Sequence, residues 1–133
     1  MLGEQLGELR GKRTLRRVLS VEEGLKLEVA FESKGKFAGA DVMEIGTYWS
    51  ATRPGGGLYG EGQGVVMSQD GEVATWKGGG IGKVMGGGAV SFCGAIYYST
   101  ASQKLARLDG IAAVYEFDVD ADGNTHSKIW EWK

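Results

Sequence analysis

The sequence predicts an all-β protein, a single antiparallel up-and-down β-barrel of about eight strands. Apolar and polar residues alternate in segments bounded by turn residues from Arg13 to the end of the chain. Glycine occupies every second position from Gly60 to Gly64 and again from Gly78 to Gly82. Since alternate side chains of a strand share one face, each run leaves that face bare. Closing the sheet into a barrel removes both open edges, which favours a barrel over a sandwich.

The first four strands are predicted from this alternation and from the turns between them. The second strand places Leu25, Leu27, Val29 and Phe31 on one face and charged residues on the other, so we expect the apolar face to point inward. The third strand is half-apolar on both faces, and the fourth contains the first glycine run. Glycine-containing turns at 22–24 and 53–56 separate strands that we place at 13–21, 25–36, 42–53 and 58–68, after an N-terminal extension at 1–11.

The last four strands follow the same pattern, with one longer connection. The second glycine run lies in the fifth strand, and the sixth contains Cys93. Residues 101–110 are predicted to form one short helix or long loop, capped by Ser102, with Leu105 and Leu108 inward and Gly110 as its end. We place the strands at 73–83, 89–99, 112–120 and 126–133, all within a single domain covering residues 1–133.

Charge and cysteine content argue against several classes of partner. The formal net charge of −2 gives no field that would attract nucleic acid or an anionic membrane. One cysteine allows no intrachain disulfide, the acidic start lacks the features of a secretory signal, and no window holds roughly 18 consecutive apolar residues. We therefore expect a cytoplasmic protein without a nucleic-acid or membrane partner.

Three motifs are explained better by turns than by ligand binding. The acidic run from Asp118 to Asn124 matches only the first half of a calcium loop, and a hairpin turn at Asp122 and Gly123 accounts for it. The pattern G-x-G-x-x-G at 55–60 leads into a strand instead of a helix, so it offers no phosphate site. His126 is the only histidine, which excludes a multi-histidine metal site within one chain. We expect no metal and no cofactor.

Glu61 and Gln63 are the candidate functional residues. If their face points into the barrel, the carboxyl of Glu61 lies among aromatic side chains, its pKa rises, and it can act as a general acid, a general base or a hydrogen-bonding anchor. If the glycine face points inward, the barrel is hollow at this strand. The alternative is a surface ion pair of Glu61 with Lys77 or Arg53. The predicted ligand-binding residues are Tyr48, Trp49, Tyr59, Glu61, Gln63, Trp76 and Tyr97.

Four stretches of the chain resemble a known group of proteins. They are 46–50 (GTYWS), 58–64 (LYGEGQG), 104–108 (KLARL) and 128–133 (KIWEWK). Together they look like uncharacterised bacterial proteins that share the barrel of allene oxide cyclase-like and lipocalin-like folds. The resemblance covers the chain from about residue 11 onward and implies an eight-stranded barrel, often oligomeric, with an apolar mouth. It implies no activity, since the catalytic residues of the cyclases have no match in this sequence.

Three functions are compatible with these observations. The first is binding of an apolar or amphipathic small molecule in the lumen, with Glu61 and Gln63 at its polar end. The second is cofactor-independent isomerisation or cyclisation, with Glu61 as the acid or base. The third is a structural or protein-interaction module with a solid barrel. Two strands with apolar residues on both faces, the third and the eighth, also predict a homo-oligomer.

Overall fold

The computed structural model describes residues 2–133 and shows a closed barrel, which confirms the predicted fold class. Each strand pairs antiparallel with the strand before it and the strand after it, and the last pairs with the first. The strands are β1 Leu2–Ser20, β2 Lys26–Phe37, β3 Ala40–Thr52, β4 Leu58–Ser68, β5 Val73–Gly86, β6 Ala89–Ser99, β7 Ala112–Val119 and β8 Asn124–Trp132.

The predicted start of the first strand at residue 13 was wrong. Strand β1 begins at Leu2, so residues 2–11 belong to the barrel wall instead of forming an extension, while Met1 lies outside the described residues. The reason is closure: β1 must pair with β8 over Leu2 to Lys12 and with β2 over Gly7 to Ser20, which requires a long strand. Leu9, which is fully buried, anchors this segment in the core.

The hairpin between β1 and β2 extends past one end of the barrel. Beyond Lys12, β1 has no β8 neighbour and pairs with β2 alone. Leu25 lies at this tip and is 42% exposed, so its predicted inward position was wrong. Val29 and Phe31, nearer the barrel centre, are buried as predicted. The alternation of β2 therefore holds only where the barrel surrounds it.

The connection between β6 and β7 closes the opposite end of the barrel. Leu105 and Leu108 are buried there as predicted, but the helix is only a 3-10 turn, Ala106–Leu108. Ser102 Oγ accepts a hydrogen bond from the Leu105 N–H at 3.3 Å, and Gly110 ends the turn with φ of 81°. Within residues 2–133, no helix is long and apolar enough to span a bilayer.

The glycine face of β4 points into the barrel. A Cβ on Gly64 would lie 2.5 Å from the Trp76 ring, and one on Gly82 would lie 2.6 Å from the Phe92 ring. Since real Cβ contacts are longer than this, the missing side chains make room for aromatic rings from neighbouring positions in the wall. The side chains of Glu61 and Gln63 consequently point outward and are exposed.

Candidate functional site

The barrel contains a small cavity with mostly aromatic walls. Its volume is about 60 Å³, enough for about four water molecules at 10–15 Å³ each. Phe31 packs on Phe117 with ring centroids 4.9 Å apart, and Tyr48 meets Phe92 edge-on at 5.7 Å. The cavity is lined chiefly by Phe31, Glu44, Tyr48, Trp76, Phe92, Ile96, Tyr98, Tyr115, Phe117, Ser127 and Ile129.

Glu44 is the buried carboxyl of this cavity. It lies on the inner face of β3 opposite Ser33 of β2, whose hydroxyl donates a hydrogen bond to Glu44 Oε1 at 3.0 Å. Only 5% of Glu44 is exposed. Burial raises the pKa of Glu44 to about 7, although the Ser33 hydroxyl and the nearby Trp76 indole N–H both oppose the rise. Near neutral pH this carboxyl therefore exists in both protonation states.

Trp76 brings a buried indole N–H to the same cavity. Its indole lies across Gly64 of β4 and Gly46 of β3, since a Cβ on either residue would lie within 2.9 Å of the ring. The side chain is 9% exposed, and Nε1 makes no hydrogen bond of normal geometry in the described chain, although the N–H is near enough to Glu44 to lower the pKa of that carboxyl. A buried N–H without a good partner costs about 1–3 kcal/mol. Trp76 and Glu44 thus place an incompletely satisfied donor and a titrating carboxyl on one small cavity.

Three tyrosines, Tyr48, Tyr98 and Tyr115, line the lumen. Burial raises the pKa of Tyr48 to about 12, against the opposing charge of Arg13. Burial likewise raises the pKa of Tyr115 to about 12, and its hydroxyl lies against Gly80. Burial, together with the nearby Glu44, raises the pKa of Tyr98 well above its usual value. All three phenols are protonated at neutral pH, so they do not act as bases.

The structure divides the predicted ligand-binding residues between two places. Tyr48 and Trp76 line the lumen. Glu61 borders the lumen only where Gly60 and Gly62 reduce the wall to backbone, and its side chain is on the outside. The five residues on the outer face are Trp49, Tyr59, Glu61, Gln63 and Tyr97.

These five residues line an open outer groove of about 710 Å³ whose floor includes Gly79. Trp49 meets Tyr59 at 5.7 Å, and Lys26 Nζ lies 4.4 Å from the Trp49 ring centroid. The Tyr59 hydroxyl donates a hydrogen bond to Glu61 Oε2 at 2.6 Å. Glu61 forms no ion pair within residues 2–133, so neither Lys77 nor Arg53 is its partner there.

The acidic loop between β7 and β8 is a tight hairpin turn. Asp120 Oδ1 accepts hydrogen bonds from the backbone N–H groups of Asp122 and Asn124, both at 2.9 Å. The Asn124 side chain and these backbone donors lower the pKa of Asp120. Within the described chain, no three His, Cys, Asp or Glu side chains form a group able to hold a metal ion.

The sequence interpretation missed Glu44 and Ser33 as site residues. One signal was available: Glu44 shares a strand face with Gly46, as Trp76 shares one with Gly78, and such glycines make room for rings inside the barrel. The third strand was ambiguous because its outer face, with Met43, Ile45 and Trp49, is as apolar as its inner face.

Comparison with known proteins supports the β-barrel fold, but neither a family nor a function. No protein-family model matches the chain, and a search of curated proteins found no match. The chain is similar to solved structures of a protein of unknown function from Clostridium acetobutylicum (TM-score 0.82, 13% identity, 96% of each chain covered) and a β-barrel-like protein from Acinetobacter baumannii (0.79, 13%, 98% and 94%). An enzyme from Penicillium herquei is also similar (0.73, 13%, 96% and 92%). At these identities the likeness shows the barrel fold alone, and kinship with allene oxide cyclase-like or lipocalin-like barrels stays a prediction.

Proposed function

We propose that this barrel binds a small organic molecule in its lumen through Glu44 and Trp76. The observation that carries the proposal is the buried Trp76 N–H, which makes no hydrogen bond of normal geometry, in an aromatic cavity beside a carboxyl whose pKa is about 7. A ligand with an acceptor for the indole and a polar hydrogen for Glu44 would satisfy both groups. This replaces Glu61 and Gln63 as the polar anchor, since their side chains are on the outer face.

The size of the cavity limits the ligand. At about 60 Å³ it is well below the roughly 300–1,000 Å³ of sites for drug-sized molecules. A flat molecule of about five non-hydrogen atoms suits the aromatic walls, because it stacks on rings and needs little rearrangement. Pyrazole, which carries an acceptor nitrogen beside an N–H, is the matched probe, and furan is an apolar control of the same ring size.

The test is a titration of uniformly ¹⁵N-labelled protein with pyrazole, observed at the tryptophan indole N–H signals. The chain has four tryptophans, and Trp76→Phe identifies the signal of Trp76 by its loss. We expect pyrazole to shift that signal, while those of Trp49, Trp130 and Trp132 serve as internal controls. Glu44→Leu, which removes the acceptor, should weaken pyrazole binding by roughly tenfold, and furan should bind more weakly than pyrazole.

Native mass spectrometry of the purified protein provides a second readout of the same proposal. A retained molecule that is released on denaturation, and is absent from the Glu44→Leu variant, supports lumen binding. If the Trp76 signal stays unmoved at millimolar pyrazole and no molecule is retained, the cavity holds only water and the proposal fails.

A second candidate is acid–base catalysis in the same lumen, with Glu44 in the role that the sequence assigned to Glu61. A carboxyl with a pKa near the working pH both gives and takes protons efficiently, and Glu44 has that property. Cyclobutanone in D₂O is a suitable probe, because abstraction of an α-proton introduces deuterium that ¹H NMR detects. Exchange above the buffer rate that Glu44→Gln abolishes would support this candidate, whereas exchange at the buffer rate would exclude it for this probe.

A further inference from the structure

The outer wall of the barrel has one apolar side. On β3, β4 and β5 the outward positions between residues 43 and 81 are mostly aliphatic or aromatic, and Ile45 and Ile81 are 41% and 45% exposed. We call this surface the β3–β5 face. Its members are Met43, Ile45, Thr47, Trp49, Tyr59, Glu61, Gln63, Val65, Met67, Val73, Thr75, Lys77, Gly79 and Ile81.

The neighbouring strand shows what an ordinary solvated wall looks like in this protein. On β2 the outward positions are mostly charged and carry both signs, including Glu28, Glu32, Lys34 and Lys36. The β3–β5 face has only two charged members, Glu61 and Lys77. A polar row of Thr47, Gln63 and Lys77 crosses this face and separates two groups of apolar side chains. The groups are Met43, Ile45, Val65, Met67 and Val73 on one side of the row and Trp49, Tyr59 and Ile81 on the other. Exposed apolar side chains rimmed by polar residues commonly mark interaction surfaces.

We propose that the β3–β5 face binds the same face of a second copy of this chain, forming a two-fold symmetric dimer. A symmetric interface must be complementary to itself, and this face contains one acidic and one basic side chain. The register places Gln63 opposite Lys77 and Glu61 opposite Gly79, so Glu61 and Lys77 are diagonal neighbours on adjacent strands.

The two-fold axis of this dimer lies in the plane between the two copies, parallel to the strands and above the boundary of β4 and β5. It places β4 of one copy over β5 of the other. Glu61 then lies over the bare Gly79 of the second copy, within side-chain reach of Lys77 of the second copy, and the symmetry repeats the pair. The Tyr59 hydroxyl already holds the Glu61 carboxylate on this face, at 2.6 Å. Lys77 has no ion-pair partner within residues 2–133.

The same two charges argue against other occupants of this face. A uniformly acidic or basic partner would leave Glu61 or Lys77 facing a like charge, and a wholly apolar partner would bury both without compensation. A dimer interface of usual size buries about 800 Å² on each partner. The β3–β5 face would supply its centre, and Tyr97 on β6, which is 55% exposed, continues the surface to one side.

Charge exchange tests this pairing directly. We expect sedimentation velocity at micromolar concentrations to show a dimer of the wild type. Glu61→Lys and Lys77→Glu should each raise the dimer dissociation constant roughly tenfold or more. Each variant places two like charges next to each other at both symmetry-related positions of the interface. The double variant Glu61→Lys with Lys77→Glu should restore the dimer. Glu32→Lys on the charged β2 wall is the matched control and should leave the dissociation constant unchanged.

Each of the other outcomes contradicts the proposal. A wild-type monomer at micromolar concentrations removes the dimer. Single variants that remain dimeric place the interface elsewhere, and a monomeric double variant rejects the pairing of Glu61 with Lys77. Circular dichroism of every variant distinguishes loss of association from loss of fold. The result is independent of ligand binding in the lumen, since none of these side chains points into it.

Discussion

Replacing Gly64 with alanine should destabilise the barrel by about 3 kcal/mol, the upper part of the range for overpacked cores. The added Cβ would lie 2.5 Å from Cε2 and Cζ2 of Trp76 and 2.6 Å from the carbonyl oxygen of Ile45. Neither neighbour moves cheaply, because the first is a rigid ring packed in the core and the second belongs to the adjacent strand. Urea denaturation of the two proteins at one concentration measures the difference.

Gly55→Ala is the control for this prediction. Gly55 lies in the turn between β3 and β4, and a Cβ there would meet no atom within 4 Å. We expect its free energy of unfolding to change by no more than about 0.5 kcal/mol, or to rise slightly because alanine restricts the unfolded chain. Equal losses at Gly64 and Gly55 would contradict the assignment of the inner glycines to ring accommodation.

A double-mutant cycle shows whether Trp76 is the cause. In the Trp76→Phe background the smaller ring lacks the two atoms that the new Cβ would strike. Gly64→Ala should then cost less than half of its effect in the wild type, with the remainder due to the Ile45 carbonyl. Additive effects of the two substitutions would instead place the strain in the backbone alone.

The sequence predicted the strands of the barrel well because strands and turns depend on features that are local in the chain. Alternation identified the strands, glycine turns such as the one containing Gly71 linked them, and Leu105 and Leu108 were correctly placed inward. Strand β1 was the exception. Its first ten residues mix acidic, glycine and leucine positions, and only the requirement to pair with both β2 and β8 explains their length as a strand.

The orientation of β4 could not be derived from β4 itself. Its two faces are glycines on one side and a mixture of Tyr59, Glu61 and Gln63 on the other, so apolar contrast does not decide between them. The orientation of β4 is determined by Trp76 and Phe92, whose large rings lie on other strands and pack against the glycine face. Such contacts depend on the register between strands and on the volumes of the side chains that meet there. Neither can be derived from one strand considered alone.

Glu44 was missed for a related reason. A carboxylate on a strand is normally solvated, and burial becomes tolerable only with a hydrogen-bonding partner. That partner, Ser33, is eleven residues away, and the pair faces each other only in the register set by the turn at Ala38 and Gly39. The site therefore appears only after the hairpin between β2 and β3 is aligned to the residue.

Glu44 should make the stability of the protein fall as the pH rises. The pKa of Glu44 is about 7 in the folded protein against a usual value of 4.5. The folded state thus holds the proton more tightly than the unfolded chain does. The stabilisation is fully present below about pH 4.5, declines as the pH rises toward 7, and is gone above it. A rise of this size corresponds to roughly 3 kcal/mol.

Glu44→Gln isolates this contribution, because glutamine keeps the size and hydrogen-bonding capacity of the protonated acid. We expect urea denaturation from about pH 4.5 to 8 to show the wild type losing roughly 3 kcal/mol relative to the variant, most of it below pH 7. Asp70, whose pKa is lowered to about 2 chiefly by Lys104, and Asp120, whose pKa is also lowered, favour the opposite trend at low pH. They are present in both proteins and cancel in the difference.

Ser33→Ala provides a second, independent test of the same prediction. The Ser33 hydroxyl donates to Glu44 and favours the charged carboxylate, so its removal should raise the pKa of Glu44 further. The decline in stability of Ser33→Ala should therefore extend to higher pH than that of the wild type. Parallel profiles of the wild type and Glu44→Gln would mean that the Glu44 carboxyl is solvated. In that case the lumen would lack the proton-exchanging group on which both its binding and its catalytic roles depend.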